Sequence, residues 1–275
     1  MKRSLFAAPY LVWMVIFIVV PLFIVLYYGL TAVDPSGNVV FSVQNIGRAF
    51  DSTYVSVFFN SLYLAVVATA LCLLIGYPLA LILASRDFSM GSIILMLVII
   101  PMWMNFLLRT YAWIALLNNN GIIAQLLRAL GVQNVSLLYN TPAVVVGLVY
   151  NFLPFMVLPI YSVLVKIEPH LYEAAEDLGA GALQRFMRVT LPLSVPGIVS
   201  GLTMCFMPAI TTFAVSRLLG GGHVPMYGEL IENQFYFMRD WHFGATLSIV
   251  LMALVLLSML IMRKYDKDKQ GGMLW

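Results

Sequence analysis

Six long apolar runs dominate the pattern of hydrophobic and polar positions along this chain. The runs are Leu5–Leu30, Val55–Ala84, Ser92–Leu117, Thr141–Val165, Leu193–Val215 and Phe243–Met262. Each is long enough to cross the hydrocarbon core of a bilayer as a helix, which takes roughly 20 apolar residues. Strands of a membrane barrel would be short and alternating, whereas these runs are continuous. The pattern therefore predicts an all-α membrane protein with six transmembrane helices.

The same pattern predicts one domain, because no repeat or low-complexity tract divides residues 1–275. Lys2 and Arg3 precede the first run, and in this order the residues look like the basic and apolar parts of a signal peptide. It is far longer than such a part and has no small-residue cleavage pattern at its end. We interpret it as an uncleaved first span.

The composition excludes a soluble enzyme. Apolar residues make up 62% of the chain and charged residues 10%, against about 45–50% and about 25% in soluble domains. So few charges cannot cover the surface of a soluble globule of this size. The net charge of +3 is small, and we expect membrane lipid around the chain and no nucleic-acid partner.

No residue pattern indicates a metal or cofactor site. Cys72 and Cys205 lie inside apolar runs without C-x-x-C spacing, which is typical of buried free thiols. The three histidines are scattered and show no H-E-x-x-H spacing. The glycines of Gly220–His223 lack the lysine of a phosphate-binding loop and favour a hinge. We expect no cofactor in this chain and no ATP hydrolysis by it.

The distribution of the 15 Lys and Arg residues predicts the orientation. With six spans both termini share a side, and that side holds ten basic residues against four on the other. The positive-inside rule therefore predicts a multi-pass protein of the cell (inner) membrane with both termini in the cytoplasm. The ten are Lys2, Arg3, Arg86, Lys166, Arg185, Arg188, Arg263, Lys264, Lys267 and Lys269, and the four are Arg48, Arg128, Arg217 and Arg239.

Three loops are expected to face outward, namely Thr31–Tyr54, Asn118–Asn140 and Arg217–His242. Within the second, apolar residues recur at helical spacing between Gly121 and Gly131. They predict a short helix at the outer interface.

A cytoplasmic segment between the fourth and fifth runs, residues 166–192, has a helical pattern of its own. Pro169 suits the first position of a helix, where its missing N–H costs nothing. A helical apolar stripe follows, formed by Leu171, Ala174, Ala175 and Leu178. Gly179 and Gly181 are expected to end this helix, because glycine adopts the left-handed conformation without steric cost.

The second part of the segment is expected to be another short helix, Ala182–Val189. Leu191 and Pro192 would then turn the chain back into the membrane. Composition alone would favour an amphipathic connector at the lipid interface.

The residues of this segment carry a resemblance that favours a different interpretation. They read E-A-A, three residues, G, nine residues, V-x-L-P, at Glu173, Ala174, Ala175, Gly179, Val189, Leu191 and Pro192. With this spacing, residues 166–192 resemble the EAA loop of permease subunits in binding-protein-dependent ABC importers. We call them the EAA segment. The resemblance implies a coupling helix that docks into a groove on an ATP-binding subunit. Glu173 would be its charged contact, Ala174 and Ala175 the surface of close approach, and Gly179 the turn.

Three further segments are similar to spermidine/putrescine importer permeases, namely Asn105–Trp113, Pro208–Gly221 and Asp240–Ala245. The likeness departs at Arg217, where some relatives carry an acid. The resemblance implies that a second homologous permease completes the path and that an external binding protein delivers the solute. Two ATP-binding subunits would hold the ATP and Mg and drive transport.

The acidic residues bear on the mechanism, because none of the 12 Asp and Glu lies within an apolar run. Carriers driven by protons usually need ionisable residues at membrane depth. The pattern argues against such a carrier, and also against a deep carboxylate site for a polyamine in this subunit alone.

Arg109 is the one basic residue inside a run, roughly 25 Å along the helix from Ser92 at 1.5 Å per residue. It could snorkel outward or pair with a neighbouring subunit. Alternatively it lies with Tyr111 and Trp113 at the outer mouth of the path, although such rings also form ordinary interface belts. Together with Phe213 and Arg217, these residues are our candidates for the translocation path.

Two other functions stay open at this point. One is an ABC importer permease for another small solute, such as an anion or a metal chelate. The other is a stand-alone secondary carrier or channel. An intramembrane enzyme is disfavoured, because no Ser/His, paired-acid or metal constellation is present in the sequence.

Overall fold

The computed structural model describes residues 9–34, 36–85, 90–132 and 136–270, with side chains at all of them except 92 and 263–270. Within these ranges the chain is helical apart from one small hairpin and the connecting turns. Part of the first run, residues 5–8, lies outside the described residues. So do Lys2, Arg3 and Arg86, and the basic side chains of the C-terminal tail are not described either.

The first third of the chain holds two long helices and a small hairpin between them. The elements are α1 (Pro9–Gly29), β1 (Thr31–Val33), β2 (Val39–Phe41), α2 (Gln44–Ala49) and α3 (Ser52–Ala84). The two strands pair antiparallel, with Thr31 opposite Phe41 and Val33 opposite Val39. The first of the loops predicted to face outward is therefore a hairpin followed by a short helix.

The rest of the described chain is helical. The elements are α4 (Gly91–Ile99), α5 (Phe106–Leu117), α6 (Ile122–Ala129), α7 (Thr141–Leu164), α8 (Pro169–Asp177), α9 (Ala182–Thr211), α10 (Ala214–Gly220), α11 (Tyr227–Asn233) and α12 (Trp241–Gln270). The helix predicted within Gly121–Gly131 is confirmed as α6. The third loop predicted to face outward is itself largely helical, because α10 and α11 lie within or beside it.

Five described helices are long and apolar enough to span a membrane, namely α1, α3, α7, α9 and α12. A sixth crossing is present if Ile93–Trp103 and Phe106–Ala129, which meet at 99°, form one bent span. The third run was predicted as one helix, and that prediction is wrong. Pro101 lies in a 3₁₀ turn before the break, and Asn105 begins α5 by accepting the Leu107 N–H at 2.8 Å.

The fifth run also differs from its prediction. Its helix begins at Ala182 and continues through Leu191 and Pro192, so the expected turn there is absent. A π-helical turn at Phe186–Thr190 precedes the proline. Such a widened turn relieves the clash between a proline ring and the carbonyl one turn earlier. The helix ends at Thr211, and α10 begins after a break at Thr212 and Phe213.

The core lies where α7 packs between α3 and α9. Two glycines four residues apart, Gly197 and Gly201, bring the backbone of α9 close to α7, as small residues commonly do between membrane helices. Both cysteines are buried there as free thiols, as predicted. The Cys72 thiol donates to Val149 O at 3.7 Å, and the Cys205 thiol to Phe152 O at 3.2 Å.

Candidate functional site

The EAA segment folds locally as its sequence predicts. Helix α8 starts at Pro169 and ends in a turn with Gly179 at φ +78°. The Ala180 N–H donates to Ala175 O at 2.9 Å, and the Gly179 N–H donates to Glu176 O at 2.8 Å. This pair of bonds is the Schellman motif, which requires a left-handed residue where Gly179 stands.

The surface of α8 is open. None of its residues is buried; Glu173 and Ala174 are exposed and Ala175 is half-buried. The next apolar residue, Leu178, is 88% exposed. The predicted apolar stripe therefore faces outward from the chain, where another protein could cover it.

The second half of the EAA segment is fixed to the bundle. It forms the start of α9, in which Leu191 is half-buried and Pro192 exposed. The Tyr77 hydroxyl of α3 lies 2.9 Å from Ser194 Oγ, and its ring lies 6.0 Å from that of Phe186. These contacts join α3 to the π-helical turn. A displacement of this end of α9 would therefore reach the membrane-spanning core.

The opposite end of the bundle is built around the break between α9 and α10. A side chain on Gly228, at the start of α11, would collide with Thr211 O and Thr212 O. Helix α11 thus lies directly on the broken backbone, and glycine at this position permits the close approach.

A partly buried polar cluster adjoins this break, and we call it the Arg217 cluster. Arg217 Nη1 lies 2.9 Å from Glu232 Oε2, and Nη2 donates to Asn233 Oδ1 at 2.6 Å. Arg217 Nε is 4.0 Å from Glu229 Oε1. The other Glu229 oxygen accepts the Ser216 hydroxyl at 2.8 Å. The cluster ties α10 to α11.

The sequence placed these two glutamates in an outward loop, whereas the structure buries Glu229 to 7% exposure. Their spacing of three residues, which places both on one face of a helix, was the available signal. They lie outside the membrane-spanning helices. The cluster contains two carboxylates against one guanidinium.

Arg109 lies on α5, which packs against α7 and α10. It is 8% exposed, so its guanidinium does not snorkel to the surface of this chain. Its Nε and Nη1 have no hydrogen-bond partner among the described residues. The guanidinium lies 5.8 Å from the Phe106 ring centroid, and no described carboxylate pairs with it.

The structure brings together only some of the path candidates. Arg109 is on a helix that packs against α10, which carries Arg217 and directly follows Phe213. Trp113 instead packs edge-on against Tyr150 of α7, with ring centroids 5.4 Å apart. Tyr111 is exposed.

A second buried polar group lies at the start of α11. Tyr227 is fully buried, and its hydroxyl has no partner among the described residues. Its N–H donates to Ser61 Oγ of α3 at 2.7 Å. Burial raises the pKa of Tyr227 to about 12, so the phenol stays neutral at physiological pH.

A cleft of about 1160 Å³ opens at this same end, between α1, α2 and the start of α12. Arg48 Nη1 lies 3.3 Å from Asp240 Oδ2 across it, and the guanidinium stacks 4.1 Å from the Phe243 ring centroid. Trp241 and His242 also line the cleft.

Comparison with known sequences gives consistent matches over most of the chain. Residues 76–269 match the family described as "Binding-protein-dependent transport system inner membrane component". The chain is 38% identical over 261 residues to the spermidine/putrescine transport system permease protein PotB of Haemophilus influenzae, covering 94% of this chain and 91% of PotB. It is 38% identical over 253 residues to PotB of Escherichia coli, covering 90% and 92%.

Solved structures share the fold. A bacterial ABC transporter that imports the acidic polysaccharide alginate matches with a TM-score of 0.79 and 18% identity, covering 98% of this chain and 96% of that one. The MetNI methionine ABC transporter matches with a TM-score of 0.58 and 19% identity, covering 78% and 94%. The chain therefore belongs to the family of binding-protein-dependent transport system inner membrane components, and it is a multi-pass inner-membrane permease subunit of an ABC importer rather than an enzyme.

Proposed function

We propose that this permease subunit serves the import of spermidine and putrescine. The observation that carries the proposal is the 38% identity to PotB over 94% of the chain. The alginate transporter supports only the fold, because it is 18% identical.

The EAA segment is proposed as the docking site of a cytoplasmic ATP-binding subunit. The exposed Glu173 and Ala174 support this assignment, as does the half-buried Ala175 beside them. Gly179 would set the turn that presents them. Both chain termini would then lie in the cytoplasm with the EAA segment. The partner subunits would hold ATP and Mg, and this chain would need no cofactor of its own.

Leu191 and Pro192 are proposed to transmit movement rather than to turn the chain. They lie inside the continuous helix α9, close to the contact between Tyr77 and Ser194. An ATP-driven displacement of α8 would reach the core through this helix. Transport would follow as a shift between states of different affinity for the ATP-binding subunits.

The opposite end is proposed to face outward, where an external binding protein delivers the solute and a second homologous permease completes the path. The packing of α5 against α10 supports a role for Arg109, Phe213 and Arg217 near that path. Tyr111 and Trp113 of α5 would lie at its mouth. Residues 1–275 would form one permease domain, with the EAA segment as its coupling element.

The proposal is tested by uptake of labelled spermidine in cells that express the whole importer. We expect uptake that unlabelled putrescine inhibits and that disappears when this chain is deleted. Unchanged spermidine uptake after the deletion would refute the polyamine assignment.

A charge reversal in the EAA segment tests the coupling assignment separately. Glu173→Lys should reduce uptake at least about tenfold, because it removes the charged contact with the ATP-binding subunit. Asp268→Lys makes the same charge change in the charged C-terminal tail, to which no role is assigned, and should leave uptake near the wild-type rate. Normal uptake and normal association with the ATP-binding subunit in Glu173→Lys would exclude a docking role for this residue.

A further inference from the structure

Two buried charges in the described part of the chain are incompletely balanced. The Arg217 cluster holds two carboxylates and one guanidinium, and Arg217 lies closer to Glu232, at 2.9 Å, than to Glu229, at 4.0 Å. Arg109 is 8% exposed and its Nε and Nη1 have no described partner. The unmatched charges are opposite in sign.

Helix packing places these charges on neighbouring elements. Helix α10 contacts both α5, which carries Arg109, and α11, which carries Glu229. Both α5 and α10 begin directly after a break in a membrane-spanning run. Short helices that follow such breaks can move as units, because few backbone hydrogen bonds hold them to the preceding helix.

An unpaired buried guanidinium is unfavourable, because it has lost its hydration and gained no carboxylate in return. The arrangement described here is therefore disfavoured by Arg109, and any arrangement that brings a carboxylate to Arg109 is favoured.

We propose that Arg109 is an alternative partner for Glu229, so that α5 and α11 become bridged in a second state of the bundle. In the state described here, Glu229 accepts a hydrogen bond from the Ser216 hydroxyl, and its other carboxylate oxygen lies 4.0 Å from Arg217 Nε. In the second state Glu229 pairs with Arg109, and Arg217 keeps Glu232 and Asn233. Arg109 acts as a positioning residue that sets the balance between the two states.

The first test separates this role from a purely structural one by two readouts that should change in opposite directions. Arg109→Met removes the unpaired charge and keeps the side-chain volume, so the isolated chain in detergent should melt about 2–4 °C higher. ATP hydrolysis by the assembled importer, stimulated by its binding protein, should fall about tenfold because the second state has lost its bridge. Melting and ATP hydrolysis that fall together, or unchanged hydrolysis, would overturn the proposal.

Arg128→Met is the matched control, since Arg128 lies on α6 and its Nη2 donates to the nearby Asn119 carbonyl at 2.7 Å. We expect little change in either readout. The ATP hydrolysis measurement does not assume any particular solute, and the melting measurement uses no solute at all. Failure of the polyamine assignment is thus distinguishable from failure of this inference.

A charge exchange tests the identity of the partner. Arg109→Glu should abolish stimulated ATP hydrolysis, and Arg109→Glu combined with Glu229→Arg should restore it to within about threefold of the wild type, since opposite charges face each other again. Combining Arg109→Glu with Asp240→Arg should restore nothing, because Asp240 pairs with Arg48 elsewhere at this end. Absence of recovery in the Glu229 exchange would overturn the assignment.

A third outcome concerns the second permease. If Arg109→Met lowers the melting temperature of the assembled importer, and leaves that of the isolated chain unchanged, then Arg109 pairs with the neighbouring subunit. That result would also overturn the exchange with Glu229.

Discussion

Gly179 is required by backbone conformation rather than by space. Its φ is +78°, and a Cβ added there would meet no atom within 4 Å. Gly181, two residues later, has an ordinary φ of −67° at the start of the next helix, and it is equally open. The two glycines of the EAA segment therefore differ in conformation alone, and they provide a matched pair of positions for substitution.

We expect Gly179→Val to weaken association with the ATP-binding subunit about fivefold, because a β-branched residue in the left-handed region costs roughly 1–2 kcal/mol. Gly181→Val should leave association close to wild type. The affinity of the purified permease for the ATP-binding subunit is the measurement. Equal losses in the two variants would show that the turn at Gly179 is not what presents the EAA segment.

At the scale of elements, helix contacts in the core depend on glycines where backbones meet. A Cβ on Gly197 of α9 would lie 2.9 Å from Pro159 O and 3.0 Å from Ile160 Cα of α7. These are backbone atoms, which cannot rotate away as a side chain could. Gly47 of α2, by contrast, has no atom within 4 Å of such a Cβ.

Gly197→Val should therefore destabilise the bundle by about 1–3 kcal/mol, the usual range for overpacking a core. Gly47→Val adds the same side chain to a helix without a close neighbour, and we expect only a small effect from it. Thermal unfolding in detergent compares the two variants. A Gly197→Val protein that melts like Gly47→Val would mean that α7 and α9 separate readily.

The sequence predicted where helices lie better than where they break. Hydropathy located α3 and α7 to within a few residues, because burial in lipid selects apolar residues along a whole helix. It missed the early start of α9 at Ala182, where the first turns are more polar. Proline could not locate the breaks: Pro78, Pro154 and Pro159 lie inside continuous helices, whereas Pro101 precedes a bend. Neighbouring helices decide which outcome occurs.

Site residues were predictable where a local motif defines them. The turn at Gly179 follows from residues close in sequence, and the structure contains it. The Arg217 cluster depends on α10 and α11 folding back against each other, and a hydropathy profile assigns those residues to a loop. Burial of Glu229 is therefore a tertiary property, as is the lack of a partner for Arg109.

At the scale of the whole molecule, the two ends of the bundle differ in character. The end of the bundle that carries the EAA segment, which we call the EAA end, presents an exposed helix with apolar residues such as Leu178. The opposite end buries charges beside two broken helices. Helix α9 runs between them without interruption from Ala182 to Thr211. This division is expected of a permease that is driven from one side and receives its solute on the other.

The side of the membrane that each end faces is testable with single cysteines in a Cys72→Ala, Cys205→Ala background. Leu178→Cys reports on the EAA end and Leu130→Cys on the opposite end; these leucines are 88% and 80% exposed. Because the basic residues lie mainly on the EAA side, a membrane-impermeant maleimide should label Leu130→Cys in spheroplasts and Leu178→Cys only after permeabilisation. The reverse pattern would place the EAA segment outside the cell, where no ATP-binding subunit could reach it, and the coupling assignment would fail with it.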